Sequence, residues 1–294
     1  MDNKESSDVT EGKHEVAGIF GRAAPTYDRV GPRFFSHFGR RLVTLAQIPG
    51  GAKVLDVATG RGAVLFSAAD VVGPQGFVVG IDLSEMMIQE NWEEIKRLGL
   101  QNVKAHRMDA EYLEFPDESF DCVLCSFAIF FFPQLDRALS EMRRVLKPNG
   151  QIAVTTWAST RDEQWKWFEE LTETYLPSES EPEQTSDPQS TSKPIFNTPE
   201  GLEAILASAG FVNIRVVSES REFIYADEEE WWSTLWSHGM RADLEAIEEK
   251  TGQDGLKRFQ KDAFEKVQMI KQPDGIHQLF SVLFGLAFKL QGDE

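Results

Sequence analysis

Val54-Leu55-Asp56-Val57-Ala58-Thr59-Gly60-Arg61-Gly62-Ala63, followed by Gly80-Ile81-Asp82-Leu83-Ser84, decides the fold. A short β-branched apolar run ends in a turn where two glycines let the backbone approach a ligand, and an apolar segment then opens a helix. Asp82, twenty residues after Gly62, falls at the tip of the next strand. A carboxylate there accepts hydrogen bonds from both hydroxyls of a ribose. The stretch reads as a nucleoside-cofactor site.

Two cofactor classes share this arrangement, and the fine spacing separates them. A dinucleotide turn carries G-x-G-x-x-G with a helix N-terminus facing a pyrophosphate. Here the run is Gly60-Arg61-Gly62-Ala63-Val64-Leu65, without the third glycine, and an acid, Asp56, stands four residues before Gly60. A carboxylate facing a pyrophosphate is repelled, whereas one facing a cationic ligand is favoured. A positively charged cofactor fits better.

The pattern D-x-A-T-G-x-G after V-L, then G-I-D-L-S-x-x-M, resembles that of the class I S-adenosylmethionine-dependent methyltransferases, with the menaquinone/ubiquinone C-methyltransferase-like subgroup the most similar. The resemblance covers roughly residues 16 to 157. Ala23-Ala24-Pro25-Thr26-Tyr27-Asp28 is similar to the family's A-x-x-Y-D lead-in, and Met108-Asp109-Ala110-Glu111 to its adenine-binding turn. Phe115-Pro116-Asp117-Glu118-Ser119-Phe120-Asp121-Cys122-Val123 is similar to its F-P-D-x-S-F-D-x-V segment. Arg143-Arg144-Val145-Leu146-Lys147-Pro148-Asn149-Gly150 is similar to its R-V-L-K-P-G-G turn, with Asn149 where glycine is usual.

The resemblance implies a doubly wound, seven-stranded, mostly parallel Rossmann-like α/β sheet. It implies that Asp56, Ala58, Thr59, Gly60 and Gly62 hold the methionine portion of S-adenosyl-L-methionine, and that Asp82 takes the ribose hydroxyls. Leu83 and Met87 then pack on the adenine, Asp109 and Ala110 meet its edge, and Ser126 and Tyr27 close the amino acid end. Met87 reads equally well as helix core, Thr59 as a helix cap, and Arg61 as solvated.

Outward from this core, the alternation of strand and helix argues for a parallel sheet covered on both faces. Strands are expected at 53–57, 77–82, 103–108, 120–127 and 151–157. A helix over 84–98 takes Ser84 as its N-cap and Met87, Ile88, Trp92, Ile95 and Leu98 as its apolar face. Another over 134–146 presents Leu135, Ala138, Leu139, Met142 and Val145. A helix at 200–209, and a strand at 211–217 continuing through Phe223-Ile224-Tyr225, resume the core. Alternate apolar residues at Phe280, Val282, Phe284, Leu286 and Phe288 predict a final strand, which the family topology would make an antiparallel edge strand.

These elements divide the chain into a disordered tail (1–13), a helical arm interrupted at Pro25 and Pro32 (14–48) and the cofactor core (49–158). A lid helix and flexible acidic loop (159–199) follow, with the loop from Pro177 to about Ser192. The core continues (200–226), and a helical acceptor lid (227–272) precedes the last core strand and tail (273–294).

The acceptor side carries fewer signals. Phe127 and Phe131 follow the fourth strand, where the resembling family often has a histidine facing the cofactor. Aromatic faces stabilise a cation there or simply fill the core. Phe34, Trp157, Trp231 and Trp232 are further candidates for an apolar wall, and His238 and His37 for a general base. The missing histidine tilts the reading slightly toward carbon rather than oxygen methylation of a small hydrophobic metabolite. An aromatic, polyketide or isoprenoid-bearing compound of specialised metabolism is expected. The alternatives are a non-catalytic S-adenosylmethionine-binding partner protein and a nicotinamide-dependent oxidoreductase.

A chain of 294 residues, 41% hydrophobic and with net charge −18, buries a sizeable core and lacks the basic stripe that nucleic acid demands. No run reaches the roughly 18 apolar residues of a membrane span, and a cytoplasmic location is expected. Cys122 and Cys125 point to opposite faces of one strand, so buried packing rather than a metal site is expected. The arm's mixture of aromatic and arginine residues suggests packing across a second subunit, as a homo-oligomer.

Overall fold

The computed structural model describes residues 2–160, 162–177 and 195–291, with side chains from Glu11 onward. Helix α1 (Asp2–Ala23) and α2 (Phe34–Ala46) form the arm, broken by the turn that carries Pro25 and Pro32. The core then alternates β1 (Lys53–Val57), α3 (Leu65–Val72), β2 (Phe77–Asp82), α4 (Glu85–Leu98), β3 (Val103–Arg107), β4 (Phe120–Ser126), α5 (Leu135–Val145) and β5 (Leu146–Trp157). After α6 (Lys166–Tyr175) come α7 (Pro199–Ser208), β6 (Phe211–Tyr225), α8 (Glu228–Trp236), α9 (Arg241–Ile270) and β7 (Ile276–Lys289). No described helix is long and apolar enough to cross a membrane.

The seven strands run in the order β3-β2-β1-β4-β5-β7-β6, with β7 antiparallel to both β5 and β6 and the other pairs parallel. Alternation in β1 sends Leu55 and Val57 to one face, under α5 and α7, and Val54 to the other, under α2 and α3. All five predicted apolar residues of α5 are buried. A third hydrophobic cluster joins α6, α8 and α9 as a separate lid, in which Trp165, Phe168, Trp231, Trp232 and Phe259 pack together. Asp227 caps α8 by accepting the Glu230 N–H at 2.8 Å.

Three expectations change. The tail expected over 1–13 is helical from Asp2, as the first turns of α1. The last strand is not at the edge. Apolar side chains on both faces of β7 suit an interior position, and β6, studded with Arg215, Glu219, Arg221 and Glu222, takes the edge instead. On α4 the buried face is Met87, Ile88 and Asn91, while Trp92 and Leu98 stand about half exposed. The Trp92 indole Nε1 donates to the Ala105 carbonyl on the outermost strand β3 at 2.9 Å, which explains its departure from the core. The arm packs on its own core, through α1 on α4 and α9 and through α2 on α3 and β5. Beyond Pro177, the expected surface loop lies outside the described residues.

His277, at the start of β7, fastens the lid to the sheet. Its carbonyl accepts from Trp165 Nε1 and Gln164 Nε2, each at 3.0 Å. The ring lies between Asp274 Oδ1 and Glu222 Oε2, each at 2.9 Å, and these carboxylates raise its pKa above the ordinary 6.5. A folded-state value above the unfolded one contributes stability below about pH 6.5, lost as pH rises through the folded value. His277→Gln should therefore lower Tm more at about pH 5.5 than at about pH 8.5. Equal losses in thermal melts at the two values would contradict this.

Candidate functional site

The turn after β1 is held in an unusual backbone conformation. Ala58, Gly60 and Gly62 all have positive φ, at 54°, 52° and 80°. At Gly62 a Cβ would meet Phe66 at 2.3 Å and Asn91 Oδ1 at 2.7 Å, so only glycine fits. Hydrogen bonds fix the rest. Thr59 N–H donates to the Ile81 carbonyl at 2.8 Å, Gly60 N–H to Asp82 Oδ2 at 2.9 Å, and Asn91 Nδ2 to the Gly60 carbonyl at 2.6 Å. Ser84 N–H donates to the other Asp82 oxygen at 2.9 Å.

Asp56 is buried at this turn, and Asp82 beside it is half-buried. Asp56 accepts from Thr59 Oγ1 at 2.5 Å, and burial, with Asp82 nearby, pushes its pKa up to about 7. Burial raises Asp82 as well. No ion pair reaches either carboxylate among the described residues, so the turn is an electrostatic well for a cation or a hydroxyl-rich ligand. Pyrophosphate would be repelled.

Nine of the twelve expected cofactor residues converge on one cavity: Tyr27, Ala58, Gly60, Asp82, Leu83, Met87, Asp109, Ala110 and Ser126. The other three, Asp56, Thr59 and Gly62, line an adjoining polar pocket that shares Tyr27, Ala58, Gly60, Ser126 and Phe127 with the first. Met87 is both buried and at the cavity, so its two readings are compatible. Tyr27 stacks on Phe35 at 4.9 Å, and burial holds its hydroxyl protonated well beyond the usual range.

The roof of the cavity is α1, through Lys13, Val16, Ala17 and Phe20. The polar composition of the first residues hid this contribution. The signal that carries it is spacing, because positions i, i+3, i+4 and i+7 share one helix face. Arg61 is not solvated. Its side chain is 7% exposed, and Nη1 donates to the Ala24 carbonyl at 2.7 Å and bonds Glu90 on α4. It thereby pins the arm turn bearing Tyr27 over the cofactor turn.

The expected acceptor residues separate. Phe127 and Phe131 line the cavity. Trp157 stands behind Phe127, 4.4 Å between ring centroids, and Phe34 packs with Phe280 at 4.6 Å, so both support the wall from outside. Trp231 and Trp232 are drawn away into the lid core, against Phe168 at 5.7 Å and Phe259 at 6.1 Å, because α8 turns its aromatic face to α6 and α9.

Neither histidine is placed as a base. The His238 ring lies 5.7 Å from Phe34 and 6.2 Å from Phe35, and its Nδ1 accepts the Met240 N–H at 3.3 Å. Desolvation pushes its pKa down to about 4. His37 faces away, against Phe38 and Phe223, and burial together with Arg221, Arg40 and Arg41 lowers its pKa. Cys122 and Cys125 fall in the two different sheet clusters.

A family model described as a methyltransferase domain matches residues 48–210. An aklanonic acid methyltransferase from a Streptomyces species is 43% identical over 49% of this chain and 66% of that protein. A nocamycin O-methyltransferase of Saccharothrix syringae is 33% identical over 78% of this chain and 84% of that protein. The solved structure of the YcgJ protein of Bacillus subtilis superposes with a TM-score of 0.56 at 18% identity, covering 87% of this chain and all of that one, a likeness of fold.

The Asp56 pKa of about 7 exceeds the 3.8 of an ordinary carboxylate. A raised folded-state value gives a contribution that is full below about pH 3.8 and lost as pH rises through 7. Asp56→Asn should therefore raise the Tm of the ligand-free protein at about pH 8, with a much smaller gain at about pH 4. A fall in Tm at pH 8 would show that the buried charge is not a strain on the free protein.

Proposed function

The chain belongs to the methyltransferase-domain family, and we propose that it methylates an oxygen of a small hydrophobic acceptor, with S-adenosyl-L-methionine as donor. The observation that carries this reading is the convergence on one cavity of residues from the arm, the turn after β1 and the ends of β2, β3 and β4. When bound, S-adenosylmethionine supplies an electrophilic methyl group on a sulfonium.

The residues present suit that group. Each Asp82 oxygen is engaged by one backbone N–H and retains a lone pair for ribose hydroxyls. Asp56 and Asp82 favour a cationic ligand over a dinucleotide, which counts against the nicotinamide alternative. Leu83 and Met87 offer an apolar surface to the adenine, with Asp109 and Ala110 at its edge. Ser126 and Tyr27 bound the amino acid end. Phe20, Phe127 and Phe131 line the cavity and exclude water, and aromatic rings there stabilise the positive charge of a bound sulfonium.

The preference for oxygen replaces the slight tilt to carbon. Neither His238, whose Nδ1 is engaged, nor the protonated Tyr27 is available to remove a proton. The acceptor must bring an atom that ionises without help, and an acidic oxygen does so. Relatives named for an acid substrate and for O-methylation support the same choice.

Calorimetric titration of S-adenosylhomocysteine should give micromolar or tighter binding to the wild type. Asp82→Ala should weaken it by about tenfold or more, because two ribose hydrogen bonds are lost. No binding by a folded wild type would end the reading. Once an acceptor is found, His238→Gln should keep kcat within about threefold, whereas removal of a general base costs about a hundredfold or more. A loss of that larger size would restore His238 as the base.

A further inference from the structure

The adenine end of the cavity holds two carboxylates and a cation brought to them by the roof. Lys13 Nζ, on α1, donates to Asp109 Oδ2 at 2.8 Å and makes a second, short bond to Glu111 Oε2. The Glu111 side chain is fully buried, and its other oxygen accepts the Gln134 N–H at 2.8 Å. The second Asp109 oxygen accepts the Glu111 N–H at 2.9 Å. Arg137, on α5, is also close, but its Nε goes to the Glu111 carbonyl at 2.9 Å and its guanidinium lies 3.7 Å over the Tyr112 ring. Among the described residues, Lys13 alone bonds both carboxylates through its side chain.

One ammonium thus serves two like charges in a partly dry corner. Withdrawing it leaves those carboxylates facing each other without a counter-charge, an arrangement that strongly resists opening. The same helix face sets Val16, Ala17 and Phe20 over the cavity. A nucleoside beneath them is covered by α1, and lifting α1 parts Lys13 from both acids.

We propose that Lys13 is a cofactor-site residue that ties the roof helix to the carboxylate at the adenine edge, so that the cofactor is retained while this ion pair stays closed. The inference rests on the assignment of the cavity to S-adenosylmethionine. Asp109 keeps a lone pair on each oxygen, so Lys13 and an adenine amino group share it without displacement. The arm is anchored separately, by Arg22 to Glu245 at 2.5 Å and by Arg61 on Ala24, so the fold does not depend on Lys13.

The test is the dissociation rate and affinity of S-adenosylhomocysteine, measured by stopped-flow competition and calorimetry. Lys13→Met should speed dissociation and weaken affinity by about tenfold or more, and Lys13→Arg should remain near wild type. Lys13→Met with Glu111→Gln should recover part of the loss, because one unpaired charge then remains instead of two. Wild-type behaviour of Lys13→Met would overturn the proposal. So would a loss that the second substitution fails to relieve, since that assigns Lys13 to helix packing alone. If the wild type itself binds no S-adenosylhomocysteine, the cofactor reading is what fails.

Discussion

The hydrogen bond from the Gly60 N–H to Asp82 Oδ2 ties together the ends of two neighbouring parallel strands, and the site depends on it. It forms because β1 and β2 pair with Val57 opposite Ile81, which leaves the turn and the acid side by side at the C-terminal ends of the strands. The left-handed backbone at Ala58, Gly60 and Gly62 bends the chain so that the Gly60 N–H aims at the carboxylate. The consequence is a half-buried acid bonded by backbone alone, beside a fully buried one. The free protein bears that electrostatic cost, and a cationic ligand relieves it. Local rules are broken here because function requires it.

Those parts of the molecule governed by neighbouring residues were legible in the sequence. Strands β1 and β2 begin and end where the apolar runs do, and α5 buries the face its spacing defines. Legibility failed where distant contacts decide. Trp92 has the spacing of a core residue but finds a better partner in a strand carbonyl. Trp231 and Trp232 look like a ligand wall until α6 and α9 enclose them. His238 has the chemistry of a base, yet the Met240 N–H two residues on engages its lone pair. Lys13 was hidden for the opposite reason: its flanking sequence is polar, and its partners lie almost a hundred positions away at Asp109 and Glu111.

The arm unites these observations. It presents an apolar stripe to the cavity on one side of Pro25, and on the other it sends Phe34 and Phe35 into an aromatic column shared with Phe127, Trp157 and Phe280. Arg61, in the middle of the glycine turn, faces this arm rather than the cavity. The glycines on either side make room for a ligand, and the residue between them controls what covers it. Binding surface and cover are therefore parts of one construction, built from segments far apart in sequence.

The bond from Trp92 to the Ala105 carbonyl has a consequence for the molecule in a crowded solution. Strand β3 ends the sheet on one side and presents hydrogen-bonding groups that invite a second chain to continue it. The indole occupies one of those acceptors and sets a bulky ring beside the row. At the other end of the sheet, the charged side chains along β6 must lose water before another strand can pair there. One border is thus partly occupied by a ring and the other lined with charge, so a neighbour that extends the sheet must first displace the indole or strip water from those side chains.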